Sequence, residues 1–488
     1  MHSHISPSKR TQPSVYTHLM AFLQSSVFSC LAFVVLTSTL LYTPQGHGRE
    51  IENRHVVSVY SLLPSPACSS PKDSNTSTLK VVHRHGPCSP IGASREPSHI
   101  QLLNEDEAQV RLLHHRISIA ASGPDNTSSS LAATIPAYTG GALHTANYIV
   151  TVGFGTPKRD LTVVFDTGSD LTWIQCKPCS TGGCYSQQQP LFDPSHSSTY
   201  STISCGSSEC SLLDDSSTCG TETPSRCRYD VAYGDNSQSS GYFSRDALTL
   251  TSSEVVPGFM FGCGDDSSGL FGAVAGLLGL GRGKVSLVSQ AKKYGGVFSY
   301  CLPASSSSSG YLAFGGGGAP SNVKFTPMLS VSNMPSFYFV NLVAIRVGGK
   351  QLRINPRVFS TGGTLLDSGT VITRLPPSAY AALRSRFRRL MRKYKTAPAL
   401  SILDTCYDFT GYETVQVPTV QLVFGGGTSL SVDLTGILYV AAVSQACLAF
   451  ADNDEVGDVT IIGNVQQRRF NVVYDIAKKQ IGFGAKSC

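Results

Sequence analysis

The chain has 488 residues, of which 41% are apolar and 14% charged, with 46 glycines and a formal net charge of +6. Such a length exceeds one small core and suggests roughly two to four domains. The composition is that of a globular, turn-rich chain and excludes disorder. Runs of Val, Ile, Thr and Tyr broken by Gly, Ser and Asn favour short strands over helices.

In chain order, residues 27–41 (VFSCLAFVVLTSTLL) come first, a 15-residue stretch without charge that lies beyond Lys9 and Arg10. It is short for a membrane span and fits the apolar core of a signal peptide, assigned to residues 1–47. That predicts the secretory pathway, with the extracellular space (apoplast) or the vacuole as destination. A signal anchor or a plastid transit peptide stays open, because no Asp or Glu precedes Glu50 and Ser and Thr are frequent.

Residues 48–134 differ in composition from the rest of the chain and read as a removable prosegment. They are rich in Ser, Pro, His and Arg, and carry the phrase KVVHRHGPCSP (80–90) and one short helical pattern near 105–117. Both glycosylation sequons, at Asn75 and Asn126, fall here, and the Ser/Gly-rich stretch 121–130 suits a cleavage linker. His83, His85, His114 and His115 could form a metal site or titrate as a pH switch for activation; the preferred reading is that they are solvated, with release of the segment driven by carboxylate protonation.

From Asn147 the sequence reads as strand after strand: NYIVTVGFG, LTVVFDTG, DLTWIQC. The body then repeats itself. VVFDTGSDLTWI (163–174) has the plan of TLLDSGTVITRL (364–375), and AGLLGLGRG (275–283) comes after the first copy as VTIIGNVQQ (459–467) comes after the second. Duplication at this scale predicts an all-β chain of two related lobes, 135–325 and 326–488, facing each other across a pseudo-twofold axis.

If each Asp-hydroxyl-Gly turn holds the same place in its lobe, Asp166 and Asp367 meet at the interface. Two carboxyls that close cannot both ionise cheaply, so they share one proton over a broad acidic range. One carboxylate then takes a proton from water while its protonated partner polarises a carbonyl. Gly168 and Gly369 let the backbone turn tightly. Thr167 and Ser368 are placed to hydrogen-bond across the interface, and Ser169 and Thr370 to donate to the outer carboxylate oxygens. A lone DTG is an ordinary turn; two copies in matching contexts are not.

Twelve of the 15 cysteines lie in the body, an even number that fits six disulfides formed in an oxidising compartment. A zinc site at Cys176 and Cys179 is the alternative, weakened by seven cysteines within 52 residues and no His-x-x-x-His pattern. No cofactor or metal is implied.

On VVFDTGSDLTW, YDVAYGDNSQSSGYF (229–243), AGLLGLGRG, TLLDSGT and TIIGNVQQRRFNVVYD (460–475), the sequence resembles the pepsin-like aspartic proteases from about Asn147 to Cys488. Sharing of one proton is the known behaviour of that family's paired carboxyls. The likeness is to the plant, nepenthesin-like branch; VVHRHGPCS is similar to a subgroup that includes a chloroplast nucleoid DNA-binding protease. The resemblance implies a pepsin-like bilobal fold with a central cleft, and endoproteolysis at acidic pH on an extended peptide or protein substrate. It also implies autoinhibition by the chain's own prosegment. Tyr233 and Gly234 would belong to the flap over the substrate, with Trp173 bonded to Tyr233, although the only Trp in the chain equally suits core packing. Asn236 stands where the branch usually has Gly. By analogy the disulfides would be Cys176–Cys179, Cys184–Cys263, Cys205–Cys227, Cys210–Cys219, Cys301–Cys488 and Cys406–Cys447.

Two other functions compete. One is a binding or inhibitor protein on the same fold, disfavoured because both Asp residues, their hydroxyl neighbours and Tyr233 are present. The other is nucleic-acid binding through RSRFRRLMRKYK (384–395), with seven basic residues in twelve. Leu383, Phe387, Leu390, Met391 and Tyr394 fall at helical spacing, so a solvated surface helix on a monomeric enzyme is preferred.

Overall fold

The computed structural model describes residues 53–69, 78–91, 97–122, 148–179, 183–219, 224–233, 237–269, 271–316, 322–332, 334–485 and 488. The leader, Asn75, Asn126, Gly234 and Asn236 lie outside them. All the described residues belong to one compact unit, Arg49–Cys488.

The repeated sequence plan becomes a repeated strand pattern. Strand Arg159–Asp166 folds back antiparallel on Tyr148–Phe154, and runs parallel to Gly276–Gly279, with Phe165 opposite Leu278 and Asp166 opposite Gly279. Strand Trp173–Gln175 closes antiparallel on the same Gly276–Gly279, setting Trp173 opposite Leu277. In the second half, Thr364–Leu366 runs parallel to Thr460–Ile462, with Leu366 opposite Ile462, and Thr373–Leu375 closes antiparallel with Arg374 opposite Ile461. The apolar runs are buried on both faces, as central strands require. Each half therefore places an Asp at the end of a buried strand, and Trp173 and Arg374 occupy equivalent positions.

The N-terminal segment is woven into this frame. Strand Leu79–His83 lies within the 15-stranded sheet, between Ser309–Phe314 and Tyr148–Phe154, while Arg54–Ser58 pairs with Thr414–Pro418. The expected short helix at 105–117 spans His99–Ser122 instead. Its stripe of Leu103, Val110 and Leu113 is buried against Val371, Ile372, Phe339, Leu365, Val459 and Ile461 of the second half. Polar residues dilute that stripe in the sequence, which shortened the legible pattern.

The disulfides correct four of the expected pairings. Cys176 joins Cys263 and Cys179 joins Cys184; Cys205 joins Cys219 and Cys210 joins Cys227. The strand carrying Cys263 runs parallel to Trp173–Gln175 with Ile174 opposite Cys263, so Cys176 emerges beside it and is unavailable to Cys179. Cys219 and Cys227 face each other across an antiparallel pair, and Cys227 turns inward to the 3-10 turn that begins at Cys210. Cys301 pairs with Cys488 and Cys406 with Cys447, and Cys68–Cys88 forms a further bridge inside the N-terminal segment.

The basic stretch forms the end of helix Pro377–Met391, which buries Ala379, Tyr380, Leu383, Phe387 and Met391. Arg384 pairs with Asp404, Arg388 donates to Thr405 Oγ1 at 3.0 Å, and Lys395 meets Asp408 at 2.9 Å. Part of its charge is thus matched within the chain. No helix among the described residues is long and apolar enough to cross a membrane.

Candidate active site

The two turns that end the duplicated strands meet tip to tip. The Thr167 amide donates to Ser368 Oγ at 3.1 Å, and the Ser368 amide donates to Thr167 Oγ1 at 3.0 Å. This reciprocal clasp joins residues 201 positions apart and fixes each turn against the other. Behind the second turn, Asn464 Nδ2 donates to Ser368 O at 3.1 Å and Gln467 Nε2 to Asp367 O at 2.9 Å. In the sequence GNVQQ is only a marker of the repeat; in the fold its amide side chains brace the turn.

Both carboxyls are buried and share one small space. A Cβ added at Gly168 would lie 3.2 Å from Asp367 Oδ1 and 3.3 Å from Asp166 Oδ1. One at Gly369 would lie 3.0 Å from Asp166 Oδ1 and 3.4 Å from Asp367 Oδ1. Glycine at both places keeps that space open.

The two carboxyls are held differently. Asp367 accepts from Gly369 N at 3.0 Å, Thr370 N at 3.0 Å and Thr370 Oγ1 at 2.7 Å. Asp166 accepts from Gly168 N at 2.9 Å. Ser169 lies beside Asp166 and lowers its pKa a little, yet Ser169 Oγ has no well-formed hydrogen bond among the described residues. Burial, then the neighbouring Asp367 charge, pushes Asp166 up to about 7. Burial also raises Asp367, against the pull of its three donors. Donors that favour the anion are more numerous on Asp367 than on Asp166.

The Trp173 indole N–H donates to the Tyr233 hydroxyl, and both rings pack on Phe271 with centroids 5.0 and 5.8 Å away. Tyr233 N donates to Ser237 O at 2.7 Å, closing the loop whose middle residues lie outside the described set. Trp173 is therefore a core residue that also holds the Tyr233 hydroxyl.

Helix His99–Ser122 packs against the chain just beyond the second turn. Asp106 Oδ1 accepts from Val371 N at 2.7 Å and Oδ2 from Ile372 N at 3.1 Å; Arg374 reaches Asp106 and Glu107 at 3.0 Å each. One turn on, Gln109 is buried, its Nε2 3.4 Å from where a Gly369 Cβ would be. His114 is also buried, with Nδ1 3.2 Å from Asp458 and Nε2 3.0 Å from Val459 O. His83 packs edge-on against Tyr148, and burial with the nearby Arg468, His85 and Arg84 drops its pKa to about 3. Burial lowers His85 to about 4. The expectation of solvated histidines fails for His83, His85 and His114, because the segment is built into the fold rather than draped over it.

Two family models, xylanase inhibitor N-terminal and C-terminal, match residues 148–316 and 337–485. An aspartyl protease family protein of Arabidopsis thaliana is 49% identical over 442 residues, covering 89% of this chain and 93% of the relative. The chain belongs to the plant pepsin-like aspartic proteases. Aspartyl protease AED1 of the same plant is 45% identical over 446 residues (90% and 93% covered), and aspartic proteinase nepenthesin-2 of Nepenthes gracilis 37% over 370 residues (74% and 81%). Among solved structures, basic 7S globulin from soybean matches with a TM-score of 0.57 at 21% identity, covering 70% of this chain and 91% of its own, which establishes the all-β pepsin-like fold. With relatives of this kind, the protein is an aspartic-type endopeptidase acting on peptide or protein substrates.

Proposed function

We propose that the protein hydrolyses peptide bonds at acidic pH through Asp166 and Asp367, after losing the segment before its first body strand. The reading is carried by the clasped turns that bring both buried carboxyls around Gly168 and Gly369. Asp367, rich in donors, serves as the carboxylate that accepts a proton from water. Asp166, raised by burial and by its partner's charge, holds the proton that polarises the scissile carbonyl. Tyr233, held by Trp173, closes over an extended substrate strand.

Helix His99–Ser122 supports the zymogen reading: it lies against the second turn, with Gln109 beside the carboxyls. The proposed division is a leader at 1–47, a prosegment at 48–134, and lobes at 135–325 and 326–488. Seven disulfides suit an oxidising compartment and hence secretion.

The test is cleavage of denatured haemoglobin or casein at pH 3–5 by the processed protein, with Asp166→Asn and Asp367→Asn alongside. Pepstatin-sensitive cleavage lost in both variants is expected; activity retained in either removes the pair. The family models' own names leave a second reading, an inhibitor or binding protein on this fold, which absence of any cleavage by the wild type supports.

A further inference from the structure

We propose that Arg374, with the amides of Val371 and Ile372, forms a subsite in the processed enzyme that selects an acidic side chain of the substrate. This rests on the protease reading above and names a specificity it does not contain.

In the unprocessed chain the site is already filled by acidic side chains. Arg374 is 1% exposed and its side chain lies among buried strands. Among the described residues, both carboxylates that reach it come from helix His99–Ser122: Asp106 and Glu107. Asp106 is entirely buried and takes three donors at once, Val371 N, Ile372 N and the guanidinium. Two backbone N–H groups and a planar fork converging on one carboxylate make an anion receptor.

Removing the helix strips the receptor of its anions while the receptor stays. Arg374 then keeps the Ile372 carbonyl, at 3.0 Å from Nη1. Its Nε is buried and has no partner among the described residues even with the helix in place. The two amides and the guanidinium fork, itself held by the Ile372 carbonyl, then present a set of converging donors to an incoming carboxylate.

The receptor also sits where a substrate side chain would reach. Val371 and Ile372 lie four and five residues beyond Asp367. Asp106 precedes Gln109 by three helical positions, and Gln109 Nε2 lies near both carboxyls. The anion site is therefore about one helical turn, roughly 5–6 Å, from the group that faces the reacting centre. An extended peptide entering the vacated groove places one side chain in it.

The decisive measurement uses the full-length chain, processed between residues 123 and 147, on peptide libraries. Matched peptides carrying Glu or Gln at the enriched position are then compared. For the wild type at pH 5, kcat/KM should favour Glu at least about tenfold, and the preference should shrink toward pH 3 as the substrate carboxyl is protonated. In Arg374→Gln the ratio of kcat/KM for the Glu peptide over the Gln peptide should fall to about one. Equal use of Glu and Gln peptides by the wild type overturns the inference, as does a Glu preference that survives in Arg374→Gln. If that variant does not fold, a synthetic 99–122 peptide is titrated into the wild-type enzyme beside its Asp106→Asn form. At least about tenfold weaker inhibition by the Asn form supports the site, and equal inhibition overturns it. Should the processed protein cleave nothing, the protease reading fails, and calorimetry of the same two peptides still decides the anion site.

Discussion

Trp173 and Arg374 stand at the same position in the two halves of the molecule, each seven residues beyond its Asp and each opposite the second residue of a partner strand. In the first half that position supports a tyrosine belonging to the body itself. In the second it binds the carboxylates of a helix that comes from outside the duplicated region. The shared frame fixes where a side chain points, and its chemistry then decides what covers that side of the cleft. One cover is built in; the other is borrowed.

The likeness of the two halves is tested most severely at the carboxyls they have in common. Asp166→Asn and Asp367→Asn should each lower kcat by about 10³-fold or more, and the double variant should lose little beyond either single one, since the two act as a unit. Additive losses in steady-state kinetics would show that the halves work independently.

Next come the two equivalent positions. In the unprocessed chain, Arg374→Met leaves Asp106 buried without its counter-charge, which should cost about 3–5 kcal/mol and speed hydrogen exchange across 99–122. Trp173→Phe removes one donor to a buried hydroxyl and should cost about 1–3 kcal/mol, with hydrogen exchange at 99–122 unchanged. Equal loosening of the helix in both variants would undo the division of labour.

The pH dependence separates the same parts. Asp166 has its pKa raised, so the folded state holds that proton more tightly than the unfolded chain. Its contribution to stability is full at low pH and lost as pH rises from about 4 to about 7. His83 and His85 have lowered values, so their contribution is present above about pH 6.5 and lost as pH falls toward 3–4, and His114 is lowered in the same direction by burial. Acidification therefore strengthens the carboxyl pair and weakens the histidine contacts of the N-terminal segment, while Asp106, raised by burial, acts in the opposite direction. Melting and limited proteolysis of the unprocessed chain from pH 7 to 3.5 should show the segment opening first. His83→Asn should blunt that opening, and an unchanged pH profile in the variant counts against the histidines.

The smallest expected effect concerns the donors. Thr370→Val removes a hydroxyl bond to Asp367 and should lower kcat about tenfold, with the acidic limb of the pH profile moving up, whereas Ser169→Ala should change activity less than about threefold. A matched loss in both would argue for symmetric carboxyls.

Much of this was legible in the sequence. That the Asp166 and Asp367 turns meet could be read because a turn motif is local and its repetition is visible, and the contact of Thr167 with Ser368 came with that symmetry. The cysteine partners were not, since Cys219 and Cys227 sit opposite each other on adjacent strands and yet bridge to different partners, Cys205 and Cys210. The reach of the helix was hidden because Asp106, Gln109 and His114 are polar yet buried; the partners of Asp106 and His114 lie hundreds of residues away. Arg374 could have been found by counting seven residues from each Asp, a signal obscured because the copies carry Trp in one place and Arg in the other.

The bridge between Cys68 and Cys88 ties the N-terminal segment only to itself, and the other six bridges each join two residues beyond 147. A cut between 122 and 148 therefore yields two chains with no covalent link, one of them still threaded as a strand through the other's sheet. If that segment is the inhibitory prosegment proposed above, activation becomes a dissociation, governed by concentration. Dilution would then favour the free enzyme, and the released fragment would inhibit any molecule it meets until it is itself digested. The waiting time between cleavage and activity is set by how fast a strand can be drawn out of the sheet rather than by how fast the linker is cut.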